Sequence, residues 1–441
     1  MDINLRFFSR LGQWATNLFA PKSPLKSESD DAQQGLISLK TIANQCPLQI
    51  GQGQLNEAVP TRPFYSSDRF IGREPQLKQM ADVINLWRNH HGEISAIVAP
   101  AGAGLSAFLG YMPTLLQQIQ TDIEHVIPTN AKALPDTWLI MSFYQAPLSA
   151  FAAITNLCYC FNIAPPPNIS DSSITDTIYA INQQPPQLII IDDLHKLMLR
   201  MMGNNQALVT FATIIMETRK HHCWILGCEK YAWQRLSAQY QITHFIKHII
   251  NIDYFNAQEL ASIQTQQLVE LGLISTDYLE QNPVEKPNNH STETQDDTSA
   301  TDVNPYDEQL KQLHSISQGH PKLAALLLQY SLTHQADITS DNKHKTDICK
   351  INSSAIQECQ DNDLFSLAEI YVHGGLRVEQ HAHIFAQSIE QSSLQLAYLA
   401  RHGLIIAQYS QKDFAQHFYF ITPTLTKIIA SHLVNNNKLF N

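Results

Sequence analysis

The chain is 441 residues long, 44% hydrophobic and only 16% charged, which excludes a wholly disordered chain and a long coiled coil and gives room for two to three domains. Forty acids against 29 bases leave a formal charge of −11, so wholesale binding along a phosphate backbone is disfavoured. Seven cysteines, an odd number with no CxxC pair, suit a reducing cytoplasmic compartment, and no run of 18 apolar residues is present to span a bilayer.

Residues 1–20 read as an amphipathic helix. Ile3, Phe7, Leu11, Trp14 and Leu18 recur at helical spacing, with Arg6 and Arg10 off that stripe. Three readings stay open for residues 2–19: an interfacial helix on a membrane surface, a docking helix for a protein partner, or a helix packed on its own domain. Residues 21–61, rich in Ser, Gln, Pro and Asp, read as a linker.

From residue 62 to 253 helices alternate with short apolar strands. The periodicity predicts a helix over Pro75–Trp87, a buried strand at Ile94–Val98, a glycine turn and a helix from Leu105. Further strands follow at Trp138–Phe143, Leu188–Ile191 and Trp224–Leu226, with a helix through Leu148–Phe161. This order implies an α/β domain, a parallel sheet with right-handed crossovers and helices on both faces. A helical unit at 254–332 follows. It is interrupted at 276–308, where nine acids meet one lysine; that stretch reads as a disordered acidic insertion. After a linker at 333–348, residues 349–441 read as three helices, a two-stranded ribbon (Gly403–Tyr409, His417–Ile421) and a last helix, the outline of a winged helix.

Two segments carry chemistry. Ala99-Pro-Ala-Gly-Ala-Gly-Leu-Ser106 follows a strand and opens a helix, the geometry in which backbone N–H groups and a helix N-terminus face an anion. Gly102 and Gly104 keep the turn of a P-loop and Ser106 keeps the hydroxyl that ligates Mg²⁺. Ala99 replaces the first glycine, and Leu105 replaces the lysine. Downstream, Leu188-Ile-Ile-Ile-Asp192-Asp193 is an apolar strand with acids at its carboxyl end, where open α/β sheets bind ligands. Asp192 is the candidate for holding the Mg²⁺-bound water and Asp193 for polarising an attacking water.

Together these segments resemble the nucleotide-binding core of the AAA+ and STAND ATPases, nearest to the branch similar to archaeal origin-recognition proteins. Phe70-Ile-Gly72-Arg73-Glu74 resembles that branch's segment beside the adenine. Ile225-Leu-Gly-Cys-Glu229 falls where the family places sensor 1, Ile252–Glu259 resembles the approach to the helical lid, and Ser317-Gln-Gly-His-Pro321 its G-x-P sensor. The resemblance covers residues 62 to about 430. It implies that ATP or ADP with Mg²⁺ would be held by Gly102, Ala103, Gly104, Leu105, Ser106 and Ala107, with Gly72, Arg73 and Pro321 alongside and Ser106 and Asp192 on the metal.

The departures shape the functional expectation. A P-loop lysine at ~4 Å from a phosphate, at an effective dielectric of ~20, supplies roughly 4 kcal/mol, and Leu105 supplies none of it. Lys132, Lys196, Arg200 and Lys247 are candidates to reach in from elsewhere, and no clear arginine finger precedes Ile249, Arg235 lying some way upstream. The expectation is a degenerate ATPase-like regulator or scaffold with protein partners, and homo-oligomers are compatible with it. Two alternatives stand beside it: an ATPase using a non-standard cation, and a winged-helix DNA-binding regulator. DNA is disfavoured because helix Ser392–Arg401 carries only Arg401 and the wing only Lys412.

Overall fold

The computed structural model describes residues 36–45, 70–123, 132, 134–135, 137–143, 149–197, 206–240, 242–270, 307–335, 348–409 and 417–440. The expected amphipathic helix at 2–19 and residues 276–306 of the expected disordered insertion at 276–308 lie outside these residues, while Asp307 and Glu308, also assigned to the insertion, begin a helix.

Five strands form the central sheet: β2 (Ile94–Ala99), β3 (Trp138–Ser142), β4 (Leu188–Asp192), β5 (Cys223–Glu229) and β6 (His248–Asn251). All run parallel in the order β3-β4-β5-β2-β6, so β5 separates the glycine-turn strand from the strand that carries the two acids. β2, β4 and β5 are buried throughout, which explains why they are continuous apolar runs. Alternate residues still divide between two layers. Ile97, Ile190 and Ile225 join the cluster of Trp87, Phe108 and Met112, from α2 (Glu74–Arg88) and α3 (Leu105–Ile123). Ala96, Ile189, Ile191, Trp224 and Leu226 face the opposite layer of α4 (Ala150–Cys160), α5 (Asp171–Asn182), α6 (Gln206–Thr218) and α7 (Lys230–Tyr240). The expected α/β fold, helices on both faces of a parallel sheet, is what the chain adopts.

The helical unit expected as a lid contains α8 (Ala257–Glu270), α9 (Asp307–Ser317) and α10 (Pro321–Gln335). The chain breaks between α9 and α10 at Gly319, where φ is +79° and an added Cβ would lie 2.2 Å from the Phe255 carbonyl oxygen. α10 therefore runs past the boundary placed at 332.

The C-terminal domain holds β7 (Lys350–Asn352), α11 (Ser354–Gln357), α12 (Asp361–Val372), β8 (Leu376–Arg377), α13 (Val378–Phe385), α14 (Ile389–Arg401), β9 (Ile405–Tyr409), β10 (His417–Ile421) and α15 (Thr426–Asn435). Its antiparallel sheet has the order β8-β10-β9. Three helices, the hairpin and the closing helix give the winged-helix order expected from the sequence, with β8 as a third strand.

One stretch read as linker is built into the fold. Residues 36–45 form β1 (Leu36–Ser38), paired parallel to β7 from Leu36↔Lys350 to Ser38↔Asn352, and α1 (Leu39–Gln45). Ile37, Leu39 and Ile42 are buried in the large core cluster, which corrects the boundary of the 21–61 linker. Their burial stabilises a short element that local propensity alone would not hold.

Candidate functional site

The glycine turn between β2 and α3 sits at the carboxyl edge of the sheet. Gly102 and Gly104 have φ of +86° and +95°, conformations that favour glycine. The Ser106 hydroxyl donates to Asp192 Oδ2 at 2.7 Å, so the two candidate metal ligands meet although 86 positions apart. Asp192 Oδ1 in turn accepts the Asp193 N–H at 2.9 Å.

Asp193 does not take the arrangement expected of a water-polarising base. Its backbone is left-handed, with φ of 61°, which costs a non-glycine residue about 1–2 kcal/mol. The carboxylate is buried and accepts a 3.0 Å charge-assisted bond from Lys196, whose Nζ also donates to the Phe143 carbonyl at 3.0 Å. Ser142 Oγ lies 3.4 Å from the same carboxylate oxygen. Asp193 is an anchor at the end of β4.

Leu105 is partly buried and packs on the apolar cluster of α2 and α3, together with Phe70 and Leu77. Phe70 stacks on Tyr111 at 4.4 Å. Arg73 is buried; its guanidinium donates to the carbonyls of Asp253 (2.5 Å) and Ala103 (3.3 Å) and lies 4.1 Å over the Phe255 ring. It therefore ties the buried Ala103 of the turn to the segment leading into the lid. A Cβ on Gly72 would lie 3.1 Å from Glu259 Oε1 on α8. Ala107 is partly exposed, one residue past Ser106. Pro321 starts α10, where its missing N–H costs nothing.

The sequence reading missed the groups that cover the turn. The Ala101 carbonyl accepts two hydroxyls, from Tyr254 at 2.8 Å and from Thr426, the first residue of α15, at 3.0 Å. Thr426 Oγ1 is also 2.9 Å from His320 Nε2, and His320 Nδ1 accepts the Leu323 N–H at 3.2 Å. These partners fix a neutral ring with the proton on Nε2, so the bond chain runs from His320 through Thr426 to Ala101. Burial, reinforced by the charge of Lys322, pushes the His320 pKa down to about 4. A Cβ on Gly102 would fall 2.2 Å from His320 Nε2 and 2.9 Å from Thr426 Oγ1. Lid and C-terminal domain together occupy that side of the turn.

Glu229, at the end of the expected sensor strand, is buried beside this contact. Its Oε2 accepts the Ala232 N–H at 2.9 Å and caps α7, while burial raises its pKa to about 8.

The candidate cations are placed elsewhere. Lys132 donates to the Lys220 carbonyl and lies over the Trp87 ring, Lys247 pairs with Glu93, and Arg200 is outside the described residues. Arg235 is bidentate to Glu369 of α12, at 2.9 and 3.1 Å, and His373 Nε2 lies 3.3 Å from the same carboxylate. Although burial alone would raise the Glu369 pKa, its bonds to His373 and Arg235 hold it well below the usual carboxylate range. Arg235 thus fastens the core to the C-terminal domain.

Burial pushes the thiols of Cys160 and Cys223 up to about 12, in keeping with packing rather than reactivity. Among the described residues no group of three His, Cys, Asp or Glu side chains is placed to hold a metal ion, and no helix is long and apolar enough to cross a membrane. His381 bonds to Ser366 and Ser392 inside the C-terminal domain.

The fit to a magnesium nucleotide is therefore divided. Ser106 and Asp192 are a suitable hydroxyl and carboxylate for the metal. Leu105 brings no charge to the turn, His320 and Thr426 stand where a Cβ on Gly102 would lie, and beside Gly104 the space is open, an added Cβ meeting nothing within 4 Å.

No family model matches this chain, and no curated protein matches it. Among solved structures it is similar to the ORC2 protein of Aeropyrum pernix in ADPNP–ADP complexes, at 13% identity and a TM-score of 0.41, covering 87% of this chain and 97% of that one. It is also similar to the ORC1 protein of Aeropyrum pernix in complex with DNA (9% identity, TM-score 0.39, 83% and 93% covered). A third similar structure is Cdc6p from Pyrobaculum aerophilum (14% identity, TM-score 0.40, 84% and 99% covered). These are archaeal ORC and Cdc6 proteins, the branch that the sequence motifs resemble.

Proposed function

We propose that this chain is a degenerate P-loop ATPase-like protein that works as a regulatory scaffold, with nucleotide binding weak or absent and hydrolysis impaired. The observation that carries the reading is the covered turn. Leu105 packs on the same apolar cluster as Phe70 and Leu77, while Tyr254, His320 and Thr426, all neutral, close on Ala101 and Gly102. A cradle evolved for turnover keeps a cation against the β- and γ-phosphates and a base free to orient water. Here the acid at the base position is engaged with Lys196, and Arg235 is engaged with Glu369.

In this reading the P-loop architecture holds sheet, lid and winged helix in one arrangement, and protein partners read that arrangement. The winged helix serves packing and protein contact; α14 carries Arg401 as its one base, which gives a shallow electrostatic footprint for DNA. A sensitive nucleotide-turnover assay on the full chain, with Asp193→Asn as control, tests the proposal. It expects turnover equal to a protein-free blank. Turnover abolished by Asp193→Asn overturns it in favour of an ATPase with a non-standard cation.

A further inference from the structure

In the C-terminal domain, α14 turns one face to the core and the other outward. Ser392, Leu396 and Leu399 are buried on the inner side. Ser392 Oγ lies 3.1 Å from His381 Nδ1, and Gln395 Nε2 reaches Asp363 of α12 at 3.5 Å, so the helix is held in one orientation. The outer side presents Glu390, Leu394, Ala397 and Arg401, all exposed. Leu394 is 73% exposed, and Ile389, on the flank of this stripe, is 54% exposed. Tyr398 borders the other flank, its ring 4.5 Å from that of His402.

Spacing and order make the stripe complementary to itself. Its steps of four, three and four residues are those of the a and d seam of a two-helix coil. The four positions are also symmetric about the midpoint between Gln395 and Leu396. When a second α14 runs antiparallel across that midpoint, Arg401 of each copy faces Glu390 of the other, and Leu394 faces Ala397. Opposite charges then meet at both ends, and a large apolar side chain meets a small one in both central layers. That is an isologous two-fold contact, in which one surface serves as its own partner. Duplex DNA fits this face poorly. An acid, Glu390, stands at the N-terminal end, the part of a recognition helix that approaches base edges, and it repels phosphates.

We propose that two copies of this chain associate through α14 in that antiparallel register. The proposal rests on the reading of the winged helix as a protein-contact domain and names its partner; it is independent of the glycine turn. One short helix from each side lies at the small end of specific interfaces, so the expected Kd is about 10–100 μM.

Sedimentation equilibrium of the full chain, carried to about 300 μM, tests it and should show a monomer–dimer equilibrium. Glu390→Arg and Arg401→Glu, each alone, turn two attractive pairs into two repulsive ones and should raise the Kd about tenfold or more. An equimolar mixture of these two single variants restores both attractive pairs, as does the double variant. Both should return to within about threefold of the unmodified Kd, which also shows that the single variants are folded. Leu394→Asp should leave the chain monomeric. A monomer at every concentration would overturn the proposal, as would a dimer indifferent to the single reversals or a mixture no tighter than its components. Duplex DNA is titrated in parallel. DNA binding that Arg401→Glu weakens would overturn the protein-contact reading together with the proposal, whereas a monomer that binds no DNA removes the dimer alone.

Discussion

Replacing Gly102 with alanine isolates the contact that His320 and Thr426, from the helical unit and the C-terminal domain, make with the glycine turn. The new Cβ would stand 2.2 Å from His320 Nε2, 2.9 Å from its Cδ2 and 2.9 Å from Thr426 Oγ1, so α10 or α15 has to move by more than an ångström. Overpacking of that kind costs about 1–3 kcal/mol, and forcing alanine to φ +86° adds about 1–2 kcal/mol. Gly104→Ala is the matched control. Its φ is +95°, yet an added Cβ meets nothing within 4 Å, so only the backbone cost applies. Denaturant unfolding should show Gly102→Ala to be about 1–3 kcal/mol less stable than Gly104→Ala. Hydrogen exchange should show faster amides in α15 for the first variant alone. Equal losses in the two variants, with α15 protection unchanged, would refute the reasoning that the domain seats on the turn.

Other expectations concern the charges that hold the domains together. Arg235→Ala leaves Glu369 buried without its bidentate partner and should cost about 3–5 kcal/mol in chemical unfolding. Burial pushes His222, His320 and His381 to pKa values of about 4, below the unfolded value, so the unfolded chain takes up protons first. Stability is therefore complete above pH 6.5 and falls as pH drops from 6.5 to 4, by up to about 3 kcal/mol for each ring, as melting temperatures across that window would record. Glu229 has the opposite sign: with its pKa raised to about 8 it favours the folded state only while protonated. Glu229→Gln should gain stability over wild type as pH rises from about 5 to 8, by at most about 5 kcal/mol, and little at pH 5.

What the sequence discloses depends on how far apart the partners lie. The buried strands are plain because each is a continuous apolar run in a parallel sheet, and the Ser106–Asp192 meeting follows from their places at the carboxyl ends of the β2 and β4 segments, Ser106 just past the turn after β2 and Asp192 the last residue of β4. α5 is harder to read, since Ile174, Ile178 and Ile181 are its only aliphatic positions apart from Ala180; its signal is the Ser170–Ser173 capping box. The strap at 36–45 is too short for a periodicity, and its strand partner begins at Lys350. His320 and Thr426 are 106 positions apart, as Arg235 and Glu369 are 134, and nothing local in either segment points to the other. The ion pair of Asp193 with Lys196, three positions on, was within reach: a 3₁₀ turn over Leu194–Leu197 brings the two together. Asp193 could not be assigned without it.

Equilibrium titration of the full chain with ATP and Mg²⁺, followed by calorimetry, bears most directly on the idea of a cradle closed by its own neighbours. With no cation at position 105 and the edge of Gly102 occupied, the heats should show no saturable binding below about 1 mM, an affinity of about 4 kcal/mol or less. Saturable micromolar binding by the unmodified protein would contradict it.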